Sequence, residues 1–235
     1  MCAENRCVTG IPGFDELCQG GFVKGSVNAL LGGPGAGKTT FLLQYLYNGV
    51  MKFNENGLYL SFEPDVSDIF LDAFTFGWDL QSLDSKGKIK FVKISPKITL
   101  KAFKDEIMKL VSQNDARRIC IDPISVLSLN LERESRIRSY IFDLASLLKR
   151  LNATIIMADE TVEGNVENFG TGFEDVRTRS VKYLSDGLVN LYSSGLGGES
   201  DRAIRIAKMR RTNHVRGPVP FEINNRGISI KKRKL

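Results

Sequence analysis

Gly32-Gly33-Pro34-Gly35-Ala36-Gly37-Lys38-Thr39-Thr40 decides the fold of this 235-residue chain. It fits G-x-x-x-x-G-K-[ST], the loop with which nucleotide-hydrolysing proteins hold phosphate. Four glycines in six positions let the backbone bend into a cradle, because glycine carries no Cβ penalty at unusual dihedrals. Backbone N–H groups then point inward at phosphate oxygens. Lys38 would reach the β- and γ-phosphates, and the Thr39 hydroxyl would ligate Mg²⁺. The flanks agree with this reading. Val27-Asn28-Ala29-Leu30-Leu31 reads as a buried strand entering the loop, and Thr39–Leu46 as a helix leaving it. The helix N-terminus sets a positive dipole end under the phosphates. The bland alternative is a glycine-rich turn that matches by accident, which the strand and helix disfavour.

Around the loop, strands alternate with helices. Residues 8–26 form an irregular, glycine-punctuated lead-in with a short helix near Phe14–Cys18. The loop helix is expected to end near Asn54-Glu55-Asn56-Gly57, and Gly57–Phe62 to be a buried strand. Glu63-Pro64 follows, with Pro64 suited to the first turn of a helix that carries Val66, Ile69, Phe70 and Phe74 inward. Ile89–Ile94, Arg118–Asp122 and Ala153–Ala158 read as further strands, and Thr99–Gln113 and Glu134–Leu151 as amphipathic helices. This order implies an α/β fold with a mostly parallel sheet covered on both faces. From residue 187 the texture becomes Gly187–Tyr192, Arg202–Met209, Phe221–Asn224 and Gly227–Ile230, short strands suited to an antiparallel extension. No internal repeat or long linker appears. The expectation is one domain over residues 1–230 and a basic, disordered tail over 231–235.

Apolar content of 42% supports a substantial core, and no run of 18 apolar residues could cross a membrane as a helix. Met1–Cys7 is polar and lacks the form of a signal peptide, so the expected location is cytoplasmic. The cysteines at 2, 7, 18 and 120 have no zinc spacing and read as free thiols. The formal charge is +6, of which Lys231, Lys232, Arg233 and Lys234 carry four, so the body has no nucleic-acid-binding balance.

Hydrolysis needs a held magnesium ion, an oriented water and neutralisation of growing charge. Asp122 closes an apolar strand, as a Walker B acid does, and could hold Mg²⁺; it could also cap the next element. Glu63 likewise ends a strand. Ligands of an open parallel sheet bind at the carboxyl ends of its strands, so Glu63, Asp122 and the loop should converge. Glu63 is the candidate to orient or deprotonate water, with helix capping as the alternative. Lys208 and Arg210 share one side of a strand, which on sequence alone is a solvated basic edge.

Together these blocks resemble the KaiC-like branch of the RecA/RadA ATPase superfamily, from about Val8 to Ile230. The marks are Gly13-Phe14-Asp15-Glu16, Gly20-Gly21, Ser61-Phe62-Glu63, Phe76-Gly77-Trp78-Asp79-Leu80 and Ser185-Asp186. Lys208-Met209-Arg210-Arg211-Thr212-Asn213-His214 and Pro220-Phe221 complete the set. The resemblance implies a RecA-like ATPase that uses ATP and Mg²⁺ and assembles as a homo-oligomeric ring, usually a hexamer, with ATP between subunits. It implies that Gly33, Pro34, Gly35, Ala36, Gly37, Lys38, Thr39 and Thr40 hold phosphate and magnesium. Glu63 becomes the catalytic glutamate, Thr75 a nucleotide contact and Asp122 the Walker B acid. Lys208, Met209, Arg210, Thr212 and His214 match residues that reach the neighbour's ATP, and Asn224 and Asn225 occupy further contact positions. Lys208 and Arg210 would act as arginine fingers do.

Two departures stand out. Glu63-Pro64 replaces the paired glutamates of many relatives, which implies slow hydrolysis and suits a regulatory switch with a protein partner. Lys182-Tyr183 stand where the clock autokinase has a Ser-Thr pair, which implies no autokinase activity. The alternative is a DNA-binding recombinase paralogue. Its DNA loop would be residues 159–182, where six acids (Asp159, Glu160, Glu163, Glu167, Glu174, Asp175) face three bases (Arg177, Arg179, Lys182), a balance that disfavours phosphate binding.

Overall fold

The computed structural model describes residues 5–128, 134–160, 176–195 and 201–231. The tail beyond Lys231, Cys2, and the acids Glu163, Glu167, Glu174 and Asp175 lie outside the described residues.

Six parallel strands form the centre of the sheet: β3 (Val27–Gly32), β4 (Gly57–Ser61), β5 (Ile89–Lys93), β6 (Arg118–Asp122), β7 (Thr154–Glu160) and β8 (Gly187–Ser193). Three antiparallel strands extend it: β9 (Arg202–Met209), β10 (Val219–Asn224) and β11 (Gly227–Ile230). The spatial order is β11-β10-β9-β8-β3-β7-β6-β4-β5. A two-stranded ribbon, β1 (Arg6–Cys7) with β2 (Phe22–Val23), brackets the short helix α1 (Phe14–Leu17) in the lead-in.

Successive side chains of a strand point to opposite faces, and here both faces are apolar. Leu30, Tyr59, Cys120 and Ile156 pack on the loop helix α2 (Lys38–Phe53) through Phe41, Leu42, Tyr45 and Leu46. Ala29, Leu31, Leu60, Ile119 and Ile155 pack on α5 (Leu100–Asn114) and α6 (Glu134–Leu148), which contribute Phe103, Ile107, Leu144 and Leu148. Cys7, Cys18 and Cys120 are free and buried. The buried charge of Arg118 ties several segments together. Arg118 donates to Glu55 Oε2 at 2.7 Å, Val8 O at 2.8 Å and Tyr45 O at 3.1 Å, joining α2, β6 and the lead-in.

The structure departs from expectation in several places. The loop helix ends where expected, but the residue that stops it is Asn54, at a left-handed φ of 52°, and not a glycine; Gly57 opens β4, also as expected. Asparagine takes the stop because its short polar side chain tolerates that region. Pro64 does not enter the next helix. Ser61 Oγ donates to Pro64 O at 2.8 Å, closing a turn, and Asp65 becomes the N-cap of α3 (Val66–Phe74). Phe74 points outward with 72% exposure, because Ile69 and Ala73, four residues apart, define the buried stripe. A helix unmarked in the sequence, α4 (Leu80–Ser85), is capped by Asp79, whose carboxylate accepts from Ser82 N at 2.9 Å. The stretch 159–182 is not all loop: β7 runs through Glu160, and α7 spans Val176–Leu184.

Candidate nucleotide site

The phosphate loop joins β3 to α2 without slack, since Lys38 is the first helical residue. Gly35 and Gly37 lie at φ 71° and 97°, where L side chains are strained. A Cβ on Gly37 would also come within 2.8 Å of Ile223 Cδ1, so glycine lets β10 pack on the loop. Lys38 is 9% exposed, and its ammonium donates to Gly32 O at 2.9 Å and Gly33 O at 3.0 Å. Glu160 Oε1 lies 3.7 Å from that ammonium, because Gly32 and Glu160 are register partners of β3 and β7.

Two strands further on, Asp122 ends β6 in a buried position. Its Oδ2 accepts the Thr39 hydroxyl at 3.0 Å and the Tyr59 hydroxyl at 2.8 Å. The carboxylate is thus turned onto the phosphate-loop helix. Burial pushes the Asp122 carboxyl above its ordinary pKa, opposed by the Tyr59 and Thr39 hydroxyls and by Lys38. Burial and the neighbouring Asp122 charge push the Tyr59 phenol well above its ordinary range. Ser61 is the register partner of Asp122, so Glu63 emerges just past the same edge and is exposed. It is not the helix cap, which is Asp65.

These groups fit a magnesium nucleotide. A hydroxyl and a carboxylate 3.0 Å apart supply the oxygen donors that Mg²⁺ takes, with phosphate and water completing its shell. The buried lysine and the left-handed glycines form the cradle beside them. Pro34 and Gly35 are exposed at its rim, while Gly33 and Thr40 are half-buried.

The β10–β11 hairpin turn borders the same end of the sheet. Asn224 Oδ1 accepts Arg226 N at 2.8 Å within that turn, and Asn225 is exposed beside it. Thr75 follows α3 directly, and Trp78 three residues on packs against Gly227, whose added Cβ would meet the indole at 2.5 Å. Trp78 also stacks on Tyr47 and Phe76. The Phe76–Leu80 block is therefore a packing element that seats the hairpin.

Lys208 to His214 lie elsewhere. Gly32 pairs with Leu191 of β8, whereas Met209 pairs with Gly187. Four residues of strand separate the two levels, about 13 Å at the usual rise. Lys208 donates to Lys182 O, Tyr183 O and Ser185 O at 3.2, 3.3 and 2.6 Å, capping the C-terminus of α7. Burial and the adjacent Arg210 lower its pKa. Arg210 is 56% exposed, with Nε 3.9 Å from Asp186 Oδ1. Met209 is buried. Thr212 Oγ1 accepts Arg6 Nη1 at 2.7 Å, and His214 Nδ1 lies 3.1 Å from Val215 O.

Tyr59 and Glu160 join the candidate set; the sequence marks Glu160 only among the acids of residues 159–182, and Tyr59 only within a buried strand. Tyr59 looked like one more apolar strand residue. Glu160 carries a usable signal, as a third acid closing a parallel strand beside the loop, although the apolar run itself ends at Ala158.

The fold and site define a phosphate-loop ATPase of the RecA type. A family model described as the KaiC ATPase matches residues 7–235, and the chain belongs to that family. It is 36% identical over 233 residues to the circadian clock oscillator protein KaiC of Thermostichus vulcanus, covering 94% of this chain and 43% of that protein. With the corresponding protein of Synechococcus elongatus the identity is 33%, with the same coverage. The chain thus spans less than half the length of these relatives. A solved KaiC-like protein from Pyrococcus horikoshii OT3 superposes with a TM-score of 0.83 at 32% identity, covering 97% of this chain and 99% of that one.

Proposed function

We propose that the protein is a Mg²⁺-dependent ATPase that works as a homo-oligomer, with each ATP held between two subunits. One observation carries the reading: the phosphate cradle and the cations of residues 208–210 sit at opposite ends of the sheet. A single chain cannot bring both to one phosphate. A head-to-tail repeat, in which one subunit's β9 end meets the next subunit's loop end, does so at every interface, and such a contact closes into a ring when the rotation allows. A hexamer is the size proposed here, by kinship with the family.

When bound, magnesium would neutralise charge on the β- and γ-phosphates. Thr39 and Asp122 would hold it, and Lys38 would leave its two carbonyls for the phosphates. Glu63, exposed past β4, would orient the attacking water. Thr75, Asn224 and Asn225 would border the nucleotide of their own subunit. Arg210 would neutralise γ-phosphate charge from the neighbour. Lys208 has its donors engaged by two carbonyls at the end of α7 and by Ser185 O in the turn after it, so Arg210 is the readier finger. Slow turnover from a lone Glu63 suits a switch acting on a protein partner in the cytoplasm. Lys182-Tyr183 argue against autophosphorylation at that position.

The test is solution mass with and without Mg·ATP, together with turnover of Arg210→Ala. The expected result is an ATP-stabilised oligomer whose Arg210→Ala form binds ATP but keeps only residual turnover. A monomer under both conditions, or unchanged turnover per assembled subunit, would sink the interfacial site.

A further inference from the structure

Ser185-Asp186 takes no part in the phosphate cradle, yet three cations converge on it. The pair sits in the turn between α7 and β8. Asp186 Oδ2 accepts Val27 N at 3.1 Å, which pins the carboxylate to the start of β3. Oδ1 accepts Lys149 Nζ at 3.2 Å and lies 3.9 Å from Arg210 Nε. The backbone oxygen of Asp186 accepts Arg210 N at 2.9 Å, and that of Ser185 accepts Lys208 Nζ at 2.6 Å.

With Oδ2 committed to β3, the carboxylate cannot turn to follow either cation. The long Arg210 side chain is otherwise half exposed, and an exposed arginine spreads over many rotamers unless an anion gathers them. We propose that Asp186 is a positioning residue for Arg210, holding the guanidinium where the neighbour's γ-phosphate will meet it; this rests on the interfacial reading above. Lys149 tunes the hold. It is the nearer partner of Oδ1, so Arg210 is gathered at 3.9 Å without the bidentate grip that would keep it from phosphate.

The test is a cycle of wild type, Asp186→Asn, Arg210→Ala and the double variant, with kcat and KM for ATP measured on assembled protein. The asparagine oxygen can still accept Val27 N, so the turn survives. Asp186→Asn should lower kcat about fivefold, the upper range for a partly exposed ion pair, with KM unchanged. It should lower nothing further of the residual turnover that remains once Arg210 is alanine, read as single-turnover ATP cleavage followed over hours. An equal fall in both backgrounds would show a merely structural role and overturn the proposal, as would an unchanged kcat in Asp186→Asn. Unchanged turnover in Arg210→Ala would instead remove the interfacial reading itself. If Asp186→Asn does not assemble, Asp186→Glu enters the same cycle, and a loss confined to the Arg210 background is again required.

Discussion

Replacing Asp122 by asparagine should make the empty protein more stable and the loaded protein less so. Asp122 is buried, and burial raises its carboxyl pKa in spite of two hydroxyl donors at 2.8 and 3.0 Å. The sign follows from linkage. The unfolded chain loses this proton first as pH rises, so across the window between the ordinary and the raised value the folded state binds more protons. Stability falls through that window, and at neutral pH the ionised carboxylate leaves the empty fold weaker. Asparagine keeps an oxygen for Tyr59 and Thr39 and carries no charge. The gain should be about 1 kcal/mol, typical of relieving one functional strain, or about 2–4 °C in a chain of this size. The difference should close as pH falls and Asp122 takes up its proton. Mg·ATP at a hundredfold excess over Kd should stabilise the wild type by about 2.7 kcal/mol, and the variant far less. Thermal denaturation with and without Mg·ATP, at pH 7 and near pH 4, reads all three effects. An empty variant that melts below wild type, or one that gains the full Mg·ATP shift, would refute the role given to this carboxylate.

Other expectations follow from single contacts. Lys38→Met should abolish ATP binding in a titration, while the fold, read by circular dichroism, survives. Gly37→Ala combines a φ of 97° with a 2.8 Å approach to Ile223, and should lose about tenfold or more in ATP affinity by the same titration. Arg118→Met strips donors from Tyr45 O and Val8 O and should lower stability by about 3 kcal/mol in a urea melt, with ATP affinity per folded molecule unchanged.

The parallel half of the fold was legible because it obeys simple rules. Buried strands 5–7 residues long read as apolar runs, and β6 fell on its expected bounds, as β9 and β11 did in the antiparallel extension. The cradle was legible because backbone geometry demands glycine there. What sequence hid was contact between distant segments. Nothing local tells that the Tyr59 hydroxyl lands on Asp122, or that Gly227 makes room for Trp78. Phe74 misled because helical spacing alone does not say where an inward arc ends. Asp186 was visible as a family mark, but its partners come from β3, β9 and the end of α6, which only the folded chain assembles.

The antiparallel return of β9 along β8 has a consequence for mixtures. Each subunit would carry one half of two different sites, so a damaged cradle and a damaged finger need not be fatal together. Lys38→Met subunits keep a sound Arg210, and Arg210→Ala subunits keep a sound cradle. Mixed at random in equal amounts, about one junction in four would join the two sound halves. Two preparations that are each inactive would then recover activity on mixing, and a partial loss in one population would be shared around the assembly.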